Sequence, residues 1–408
     1  MSDPLKEFSW GELLDPIKTR VDMRDDALFP LASIRRRNGG FFHRETKLGR
    51  EILTKTLSKA VSGSFAISRM QVVHGACSYV PESFGETFLS ASYTQFQAKN
   101  PPRIDTKYLH YYAHSRESYS AFLKSSHGVH IEKMTFDLED WLRQKVSLPP
   151  LPEQKKIASI LTSVDDVIET TQKQIDKLQD LKKATMNELL TKGIGHTEFK
   201  DSELGRIPKS WEVRKFDDVT LDVTYGLTVR PEYQQKGVPL VSGKECRDGW
   251  IDFSIANLIS QEDFSKLRKR ALPKKGDIIF TKTGTLGRVA LVENSYPNFA
   301  ISQNVALITP DQQKVIPEFL KILSMSESVK EQTKMGASTL SVQDLQLGVL
   351  RKFLIPIPSF GEQSSIISIV YSLWSDIDIK TKKLKKYQSL KKSLMQDLLT
   401  GKVRVQVN

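Results

Sequence analysis

The chain contains 408 residues, of which 39% are apolar and 26% are charged, and its formal net charge is +12. This composition argues against a disordered tail, and no stretch approaches the roughly 20 consecutive apolar residues that a membrane span requires. At about 150 residues per domain, two to three domains are expected. The positive charge favours a polyanionic partner, although a surplus of solvated lysines would give the same count.

The two cysteines, Cys77 and Cys246, form neither a disulfide framework nor a Cys-x-x-Cys metal motif. The first residues, Met1 to Pro4, have neither the basic nor the apolar region of a secretory signal. Together these features predict a protein of the reducing cytoplasm.

Residues 1–147 are rich in short strand-like runs, glycines and aromatic residues. This pattern predicts a globular domain of mixed α/β structure. The runs at 63–67 and 76–80 favour two strands joined by a turn.

A long helix is predicted for residues 153–191, within a central region at 148–200. Prolines before Glu153 block any helix upstream, its acidic side chain suits a first turn, and Gly193 follows the predicted end. Apolar residues recur at alternating spacings of four and three, with Thr171 in the one gap. This spacing is typical of a coiled coil, although ordinary core packing would also produce such a stripe. The stripe consists of Ile157, Leu161, Val164, Ile168, Ile175 and Leu178.

Residues 201–353 are similar to the first segment in size and composition. Two strands are predicted at 277–280 and 288–292, on either side of a turn from Thr281 to Gly287. The two strand-like runs of the first segment occupy the corresponding place. The globular segments are therefore interpreted as diverged copies of one another.

A second long helix is predicted at 362–400, within a C-terminal region at 354–408. It repeats the first helix at a constant offset of 209, and 17 of the 39 aligned positions are identical. Duplication explains a gapless match of this length better than chance similarity between two amphipathic helices. We expect an α+β protein in which two globular domains are separated by two long antiparallel helices forming a coiled coil. The second stripe consists of Ile366, Val370, Leu373, Ile377, Leu384 and Tyr387.

The sequence lacks the motifs of ATP hydrolysis and of adenine methylation. It has no Gly-x-x-x-x-Gly-Lys-Ser/Thr phosphate loop and no Asn-Pro-Pro-Tyr or Asp-Pro-Pro-Tyr run for methyl transfer to adenine. His110 and His114 are spaced like two metal ligands on a helix, but no glutamate lies between them, and Tyr111 and Tyr112 favour a packed aromatic face. We therefore expect neither catalysis nor metal binding from this chain.

Four stretches carry a resemblance to a known family. The central region runs Leu-Pro-Pro-Leu-Pro-Glu-Gln-Lys-Lys-Ile at 148–157 and Leu-Leu-Thr-Lys-Gly-Ile-Gly at 189–195. The second globular segment opens with Leu-Gly-Arg-Ile-Pro-Lys-Ser-Trp-Glu-Val at 204–213 and later contains Gly-Asp-Ile-Ile-Phe, followed by Gly-Thr-Leu-Gly-Arg, within 276–288. With these motifs the chain resembles the specificity subunits of type I restriction–modification systems.

The resemblance implies two target-recognition domains, at 1–147 and 201–353, each reading one half of a bipartite site in double-stranded DNA. The helices would set the spacing and dock two methyltransferase subunits on their outer faces, including Leu181, Leu390 and the Leu-Leu-Thr ends. Two restriction/translocase subunits can join such a complex. This chain would bind no cofactor, because S-adenosylmethionine and ATP would be held by the partner subunits. The alternative is a coiled-coil structural adaptor without DNA specificity of its own.

DNA binding requires cations and hydroxyls against phosphates, and arginine or amide side chains against base edges. Such side chains cluster around the predicted turns of both globular segments, although any single one could be a solvated surface group. In the first segment they are Arg35, Arg36, Arg37, Asn38, Arg44, Arg69, Gln71, Gln95 and Gln97. In the second segment they are Tyr225, Thr228, Arg230, Lys244, Arg247, Thr281, Lys282, Thr283, Arg288, Gln303 and Asn304.

Overall fold

The chain divides into two compact units in a computed structural model, which describes residues 4–53, 56–229, 231–267, 271–338 and 342–407. Unit 1 comprises residues 1–173 and 382–408, and unit 2 comprises residues 174–381. The division passes through both predicted long helices, so each helix contributes one half to each unit. The domain boundaries predicted from the sequence stay predictions, because these units are defined by contacts and not by function.

Unit 1 is built mainly from short strands, and four short helices lie before the first long one. The strands in its described part are β1 (Lys6–Ser9), β2 (Leu14–Ile17), β3 (Leu28–Ile34), β4 (Phe41–Leu48), β5 (Leu57–Lys59), β6 (Phe65–Ser68), β7 (Cys77–Tyr79), β8 (Phe88–Ser90), β9 (Tyr93–Ala98), β10 (Ser126–His127), β11 (Thr135–Phe136) and β12 (Lys145–Leu148). The helices are α1 (Trp10–Leu13), α2 (Thr106–Tyr112), α3 (Arg116–Lys124), α4 (Leu138–Arg143) and the long α5 (Leu151–Lys192), which continues into unit 2.

Unit 2 has the same mixture of elements. The strands in its described part are β13 (Phe199–Ser202), β14 (Gly205–Pro208), β15 (Glu212–Lys215), β16 (Thr220–Tyr225), β17 (Val238–Val241), β18 (Asn257–Ile259), β19 (Ile278–Thr281), β20 (Val289–Leu291), β21 (Ala300–Ile301), β22 (Val305–Pro310) and β23 (Leu354–Ile357). The helices are α6 (Gln261–Ser265), α7 (Pro317–Ser324), α8 (Glu327–Gly336), α9 (Leu347–Leu350) and the long α10 (Phe360–Leu399), which continues into unit 1.

The sheets repeat one topology in the two units. The order β2-β9-β6-β7 in unit 1 matches β16-β22-β19-β20 in unit 2, and both sheets are antiparallel. A second sheet of each unit contains a parallel pair, formed by β3 and β8 in unit 1 and by β17 and β21 in unit 2. The predicted strand pairs on either side of a turn are confirmed as the hairpins β6–β7 and β19–β20. Duplication therefore extends from the helices to the globular segments.

The two long helices are confirmed, and each is slightly longer or shifted relative to its prediction: α5 has 42 residues and α10 has 40. In unit 1, Lys391 Nζ lies 2.6 Å from Asp165 Oδ1, and α10 ends near the start of α5. In unit 2, Lys380 Nζ donates to Gln174 Oε1 at 2.8 Å, and α10 begins near the end of α5. Within each unit the two halves therefore run antiparallel.

The ends of the apolar stripes belong to the globular cores. Ile157 and Leu161 lie in the main core of unit 1 with a group of aromatic residues, and Ile366 and Val370 lie in the main core of unit 2. At these positions the structure therefore shows the core packing that the sequence left open beside a coiled coil. The reason is that a helix end that enters a globular unit can bury its apolar side chains against strands and short helices as well.

A buried glutamine of a Glu-Gln pair near the start of each long helix ties the helix to the adjoining globular segment. Gln154 accepts a hydrogen bond from the Asp105 amide at 3.0 Å, and Gln363 accepts one from the Ile316 amide at 2.9 Å. Each glutamine also donates to the proline carbonyl five residues before it, at 2.9 and 3.0 Å. Because both side chains are fully buried, these bonds satisfy groups that would otherwise destabilise the fold.

The glutamate of each pair binds the segment that follows the other long helix. Glu153 accepts two hydrogen bonds from the Arg404 guanidinium, at 2.8 and 2.7 Å, and one from the Val405 amide at 3.0 Å. Glu362 accepts one from the Trp211 indole at 2.9 Å. The sequence pattern predicted only that these acids suit a first helical turn. Their partners lie too far away in the chain for a local pattern to reveal them.

The contact between Glu153 and Arg404 makes stability depend on pH. Hydrogen bonds from Arg404 lower the pKa of Glu153 below its ordinary value of 4.5. The contribution of Glu153 is therefore fully present above that value and is lost as the pH falls through the folded-state pKa. We expect E153Q to reduce the free energy of unfolding at pH 7 by about 1–3 kcal/mol. The difference from wild type should shrink as urea titrations are repeated at lower pH, and a constant difference would contradict this account.

Candidate DNA interface

The basic turn, residues 35–40, connects β3 to β4. Arg37 and Asn38 have φ values of 55° and 58°, a left-handed conformation that few non-glycine residues adopt. Their amides donate to the carbonyls of His74, at 2.7 Å, and Gly75, at 3.0 Å. These bonds to a second loop hold the strained turn in place. Its candidate side chains Arg35, Arg36, Arg37 and Asn38 are all exposed.

Gly75 is required by the close approach of the basic turn. Its φ is +75°, and a Cβ atom at this position would lie 2.5 Å from Asn38 Oδ1. A side chain would therefore strain the backbone, displace the Asn38 side chain and crowd the Asn38 backbone nitrogen, which would lie 3.1 Å from the Cβ atom. The two loops fit only because this position is glycine.

A cavity of about 590 Å³ opens beside the basic turn. Glu132 lines it, and its Oε2 lies 3.1 Å from Arg36 Nη2 and 3.6 Å from His74 Nε2. Arg37 and Arg116 also line it, and neither guanidinium has an ion-pair partner within the described part of the chain. Three arginines against one glutamate give this cavity a positive charge, which favours an anionic ligand.

Gln95 serves the fold instead of the interface. It is 2% exposed, and its amide oxygen accepts from the Val61 amide at 2.8 Å while its amide nitrogen donates to the Lys59 carbonyl at 2.9 Å. Both ends of the side chain are thus engaged inside unit 1. The predicted DNA contact of Gln95 is replaced by this structural role, whereas Gln97, farther along β9, is exposed.

The other candidates of unit 1 lie outside the cavity beside the basic turn. Arg44 Nη2 is 2.6 Å from Glu45 Oε1 on the exposed part of β4. Arg69 follows β6 and is exposed, whereas Gln71 is half-buried. These three side chains stay predicted DNA contacts without a shared site.

In unit 2, three chain segments meet around Ser302. The Leu227 amide donates to the Ile301 carbonyl at 2.9 Å, and the Ser302 amide donates to the Val241 carbonyl at 2.9 Å. A cavity of about 380 Å³ opens at this meeting point. Four of the predicted side chains line it together: Thr228, Lys244, Gln303 and Asn304.

Two further residues of this cavity were missed by the sequence analysis. Tyr233 lies in the loop before β17, and Asn257 begins β18. Neither stood beside a predicted strand, so no local signal marked them. Tyr225, which was predicted, ends β16 and is half-buried, and Arg230 lies outside the described residues.

The glycine turn between β19 and β20 is held by Thr281. This residue is fully buried, and its hydroxyl donates to the Thr285 carbonyl at 2.5 Å and accepts from the Arg288 amide at 2.9 Å. Thr281 was predicted to contact DNA. The structure assigns it to shaping the turn, because no part of the side chain reaches the surface.

Lys282 and Thr283 project from this turn toward Asp344. Lys282 Nζ lies 2.8 Å from Asp344 Oδ1, and the Thr283 hydroxyl donates to the same oxygen at 2.5 Å. The Lys282 amide donates to the Asn304 carbonyl at 3.1 Å, which brings the turn next to the Ser302 segment. Lys282 is thus close to the unit 2 cavity, but its charge is compensated by an acid.

Two more predicted arginines of unit 2 lie side by side. Arg247 Nη1 and Arg288 Nη1 each donate to the Cys246 carbonyl at 3.2 Å. Arg247 also lies 3.3 Å from the Asp252 carboxylate. The structure therefore brings these two guanidinium groups together, although they lie on different loops.

The twelve residues predicted to pair the long helices are all buried or half-buried. Three residues after the ends of the stripes, Leu181 and Leu390 are 51% and 49% exposed, and docking of partners there stays a prediction. The Leu-Leu-Thr ends differ from their prediction. Leu189 and Leu190 are buried in the main core of unit 2, and the equivalent leucines 398 and 399 are buried in that of unit 1, so these leucines are not free to dock a partner.

The buried histidines and cysteines have structural environments. The rings of His110 and His114 are 4.6 Å apart, and burial lowers the pKa of His110 to about 4, which keeps it neutral. Burial raises the pKa of both Cys77 and Cys246 to about 12, so neither thiol is a nucleophile at neutral pH. Among the described residues there is no group of three or more metal-ligating side chains, and none of their helices combines the length and apolarity needed to cross a membrane.

Comparisons with known proteins agree with this architecture. The family model described as "Type I restriction modification DNA specificity domain" matches residues 34–180 and 208–388. The type I restriction enzyme MjaVIII specificity subunit of Methanocaldococcus jannaschii is 31% identical over 324 residues, which cover 78% of this chain and 74% of the relative. The EcoBI specificity subunit of Escherichia coli is 26% identical over 272 residues, which cover 63% and 57% of the two chains.

Solved structures have the same fold. The crystal structure of a type I restriction–modification S subunit from M. genitalium matches with a TM-score of 0.60 at 15% identity, covering 99% of this chain and 97% of the other. A chain from a study of complex assembly in the type I system matches with a TM-score of 0.59 at 13% identity, covering 98% of each chain. The chain belongs to the family of type I restriction–modification DNA specificity proteins. Like the other members of this family, it is a DNA-recognition subunit and not a catalytic subunit.

Proposed function

We propose that unit 1 and unit 2 each read one half of a bipartite DNA site. The proposal is carried by the repetition of one sheet order in both units with different polar side chains at the loops. Unit 1 presents Arg36 and Arg37, whereas unit 2 presents Lys244, Gln303 and Asn304. A shared framework with diverged loops is expected where two domains bind similar ligands of different sequence. The cations would contact phosphates, and the amides would contact base edges.

Two methyltransferase subunits are proposed to bind the exposed faces of α5 and α10. Leu181 and Leu390 occupy equivalent positions of the duplication, and surfaces that repeat within one chain can seat two copies of one partner. The methyltransferases would hold S-adenosylmethionine, and two restriction/translocase subunits that join the complex would hold ATP. The uninterrupted lengths of α5 and α10 support the proposal that these helices set the spacing between half-sites.

An exchange of one globular segment tests the division of labour. Residues 1–147 are replaced by the corresponding segment of a family member with a different known target, and the chain is expressed with its methyltransferase. Mapping methylated adenines in host DNA should then show one new half-site, with the other half-site and the spacer unchanged. The physical reason is that all the residues lining the cavity beside the basic turn lie within residues 1–147 and are therefore exchanged together.

The reciprocal exchange of residues 201–353 is the matched control and should change only the other half-site. A change in both half-sites, or in neither, would contradict the proposal. A complex that methylates but whose DNA affinity is independent of salt would instead favour the structural-adaptor alternative, because phosphate contacts by this chain would then be absent.

A further inference from the structure

Glu132 lines the cavity beside the basic turn, here called the unit 1 cavity, and contacts the side chain of Arg36. Its Oε2 lies 3.1 Å from Arg36 Nη2 and 3.6 Å from His74 Nε2. The His74 Nε2 atom is buried and has no hydrogen-bond partner among the described residues. At the rim of this positively charged cavity, the Glu132 oxygen thus accepts a hydrogen bond from the Arg36 guanidinium and lies near an imidazole nitrogen that it does not hydrogen-bond.

A carboxylate and a phosphate are interchangeable ligands for an arginine side chain. Arginine binds both through the same planar arrangement of N–H groups, and the bond to phosphate is equally charge-assisted. Glu132 and Arg36 have side chains that are 60% and 45% exposed, so their attraction is weakened by water and salt. The contact is therefore weak enough to be replaced by a ligand that brings more than one interaction.

The surroundings of this pair add further interactions for a phosphate. Arg37 and Arg116 line the same cavity without ion-pair partners among the described residues. The backbone of the basic turn is held by bonds to His74 and Gly75, so the position of Arg36 is set before any ligand arrives. A turn whose backbone is already held loses less conformational entropy when a ligand binds its side chains.

We infer that Glu132 is an internal substitute for a DNA backbone phosphate and that Arg36 exchanges it for the phosphate when unit 1 engages DNA. This inference rests on the proposed DNA-reading function of unit 1 and adds a regulation of the same site. Arg36 is compensated until a phosphate lies in the cavity, so weak, out-of-register contacts with DNA gain little from it. Glu132 therefore lowers non-specific affinity more than specific affinity.

The test compares wild type, E132Q, R36Q and the double variant, each purified with its methyltransferase partner. Fluorescence anisotropy measures binding to a target duplex and to a duplex without the target over a range of salt concentrations. E132Q should bind the duplex without the target about three- to tenfold more tightly at low salt, with a steeper salt dependence. R36Q should weaken binding, and the gain from E132Q should vanish in the R36Q background, because Glu132 acts through Arg36.

E82Q is the matched control, because Glu82 is an exposed glutamate of unit 1 whose side chain has no ion-pair partner among the described residues. It removes the same charge and should change affinity less than E132Q does. Equal effects of E82Q and E132Q, or an equal gain from E132Q with and without Arg36, would overturn the inference. If wild type bound neither duplex in a salt-dependent manner, the proposed DNA-reading function would be contradicted as well. If wild type bound DNA and E132Q did not change its affinity, only the exchange of Glu132 for a phosphate would be contradicted.

The same measurements in chloride and in phosphate buffer at equal ionic strength distinguish the source of the phosphate. A site for the DNA backbone should show the same effect of E132Q in both buffers. An effect of E132Q that disappears in phosphate buffer would indicate a site for free phosphate, and it would overturn the assignment to DNA.

Discussion

Replacement of Trp141 by alanine is expected to destabilise unit 1 by about 3–5 kcal/mol, the range for a large aromatic residue removed from a core. Trp141 is 0% exposed, and its ring stacks on Trp10 at 5.0 Å and on Phe122 at 5.6 Å between centroids. The rings of Phe96 and Phe136 contact it at 5.6 and 5.9 Å. Urea unfolding monitored by far-UV circular dichroism would measure the loss.

W141F separates packing from hydrogen bonding at this position. The Trp141 Nε1 atom is buried without a hydrogen-bond partner among the described residues. Phenylalanine removes that unpaired donor and keeps one ring, so a loss of only about 1–2 kcal/mol is expected. W250A is the control, because Trp250 is 51% exposed and its removal should cost no more than about 0.5 kcal/mol. Equal losses for W141A and W250A would show that the aromatic cluster does not stabilise unit 1.

Replacement of Glu362 by alanine is expected to destabilise unit 2 by about 2–4 kcal/mol, because the buried Trp211 indole and two further groups would lose a charged partner. The carboxylate accepts from the Trp211 indole at 2.9 Å and from the Ile194 amide at 2.9 Å, and it contacts His196 Nε2 at 2.8 Å. Its side chain is 12% exposed, so water replaces these bonds poorly. Urea unfolding monitored by tryptophan fluorescence is suitable, since Trp211 itself makes the contact.

Glu188 provides a matched control for this second experiment. It lies on α5 and is exposed, and among the described residues the ion-pair partner of its side chain is Lys192, one helical turn later, at 3.7 Å. E188A should therefore leave the unfolding curve almost unchanged. E362Q should fall between wild type and E362A, because its amide oxygen can still accept from one of the donors. If E362A unfolded like E188A, the carboxylate would not be holding the segment after α5.

The long helices and the hairpins β6–β7 and β19–β20 could be predicted because their signals are local. The apolar spacing, the prolines before Glu153 and the glycine at 193 lie within or next to the helix that they define. The same holds for the turn between β19 and β20. The 209-residue repeat then predicted a second copy of each feature, and the sheet orders of the two units bear out this duplication.

The candidate site was predicted only in part. The sequence indicated which residue types could contact DNA, and the structure brings Thr228, Lys244, Gln303 and Asn304 to one cavity. It also places Gln95 inside unit 1 with both ends of its amide engaged. No sequence pattern distinguishes these outcomes, because the burial of a polar side chain depends on loops that come from elsewhere in the chain.

The sequence by itself therefore determined the duplication, the two long helices, the α+β class and the family. Only the tertiary structure decided that Glu132 meets Arg36, that Asp344 meets Lys282, and that Glu153 meets Arg404. The physical reason is the distance along the chain between the interacting residues. Periodicity and turn chemistry act between neighbours along the chain, whereas these ion pairs join side chains separated by 96, 62 and 251 positions, and they form only after the strands have set the loops in place.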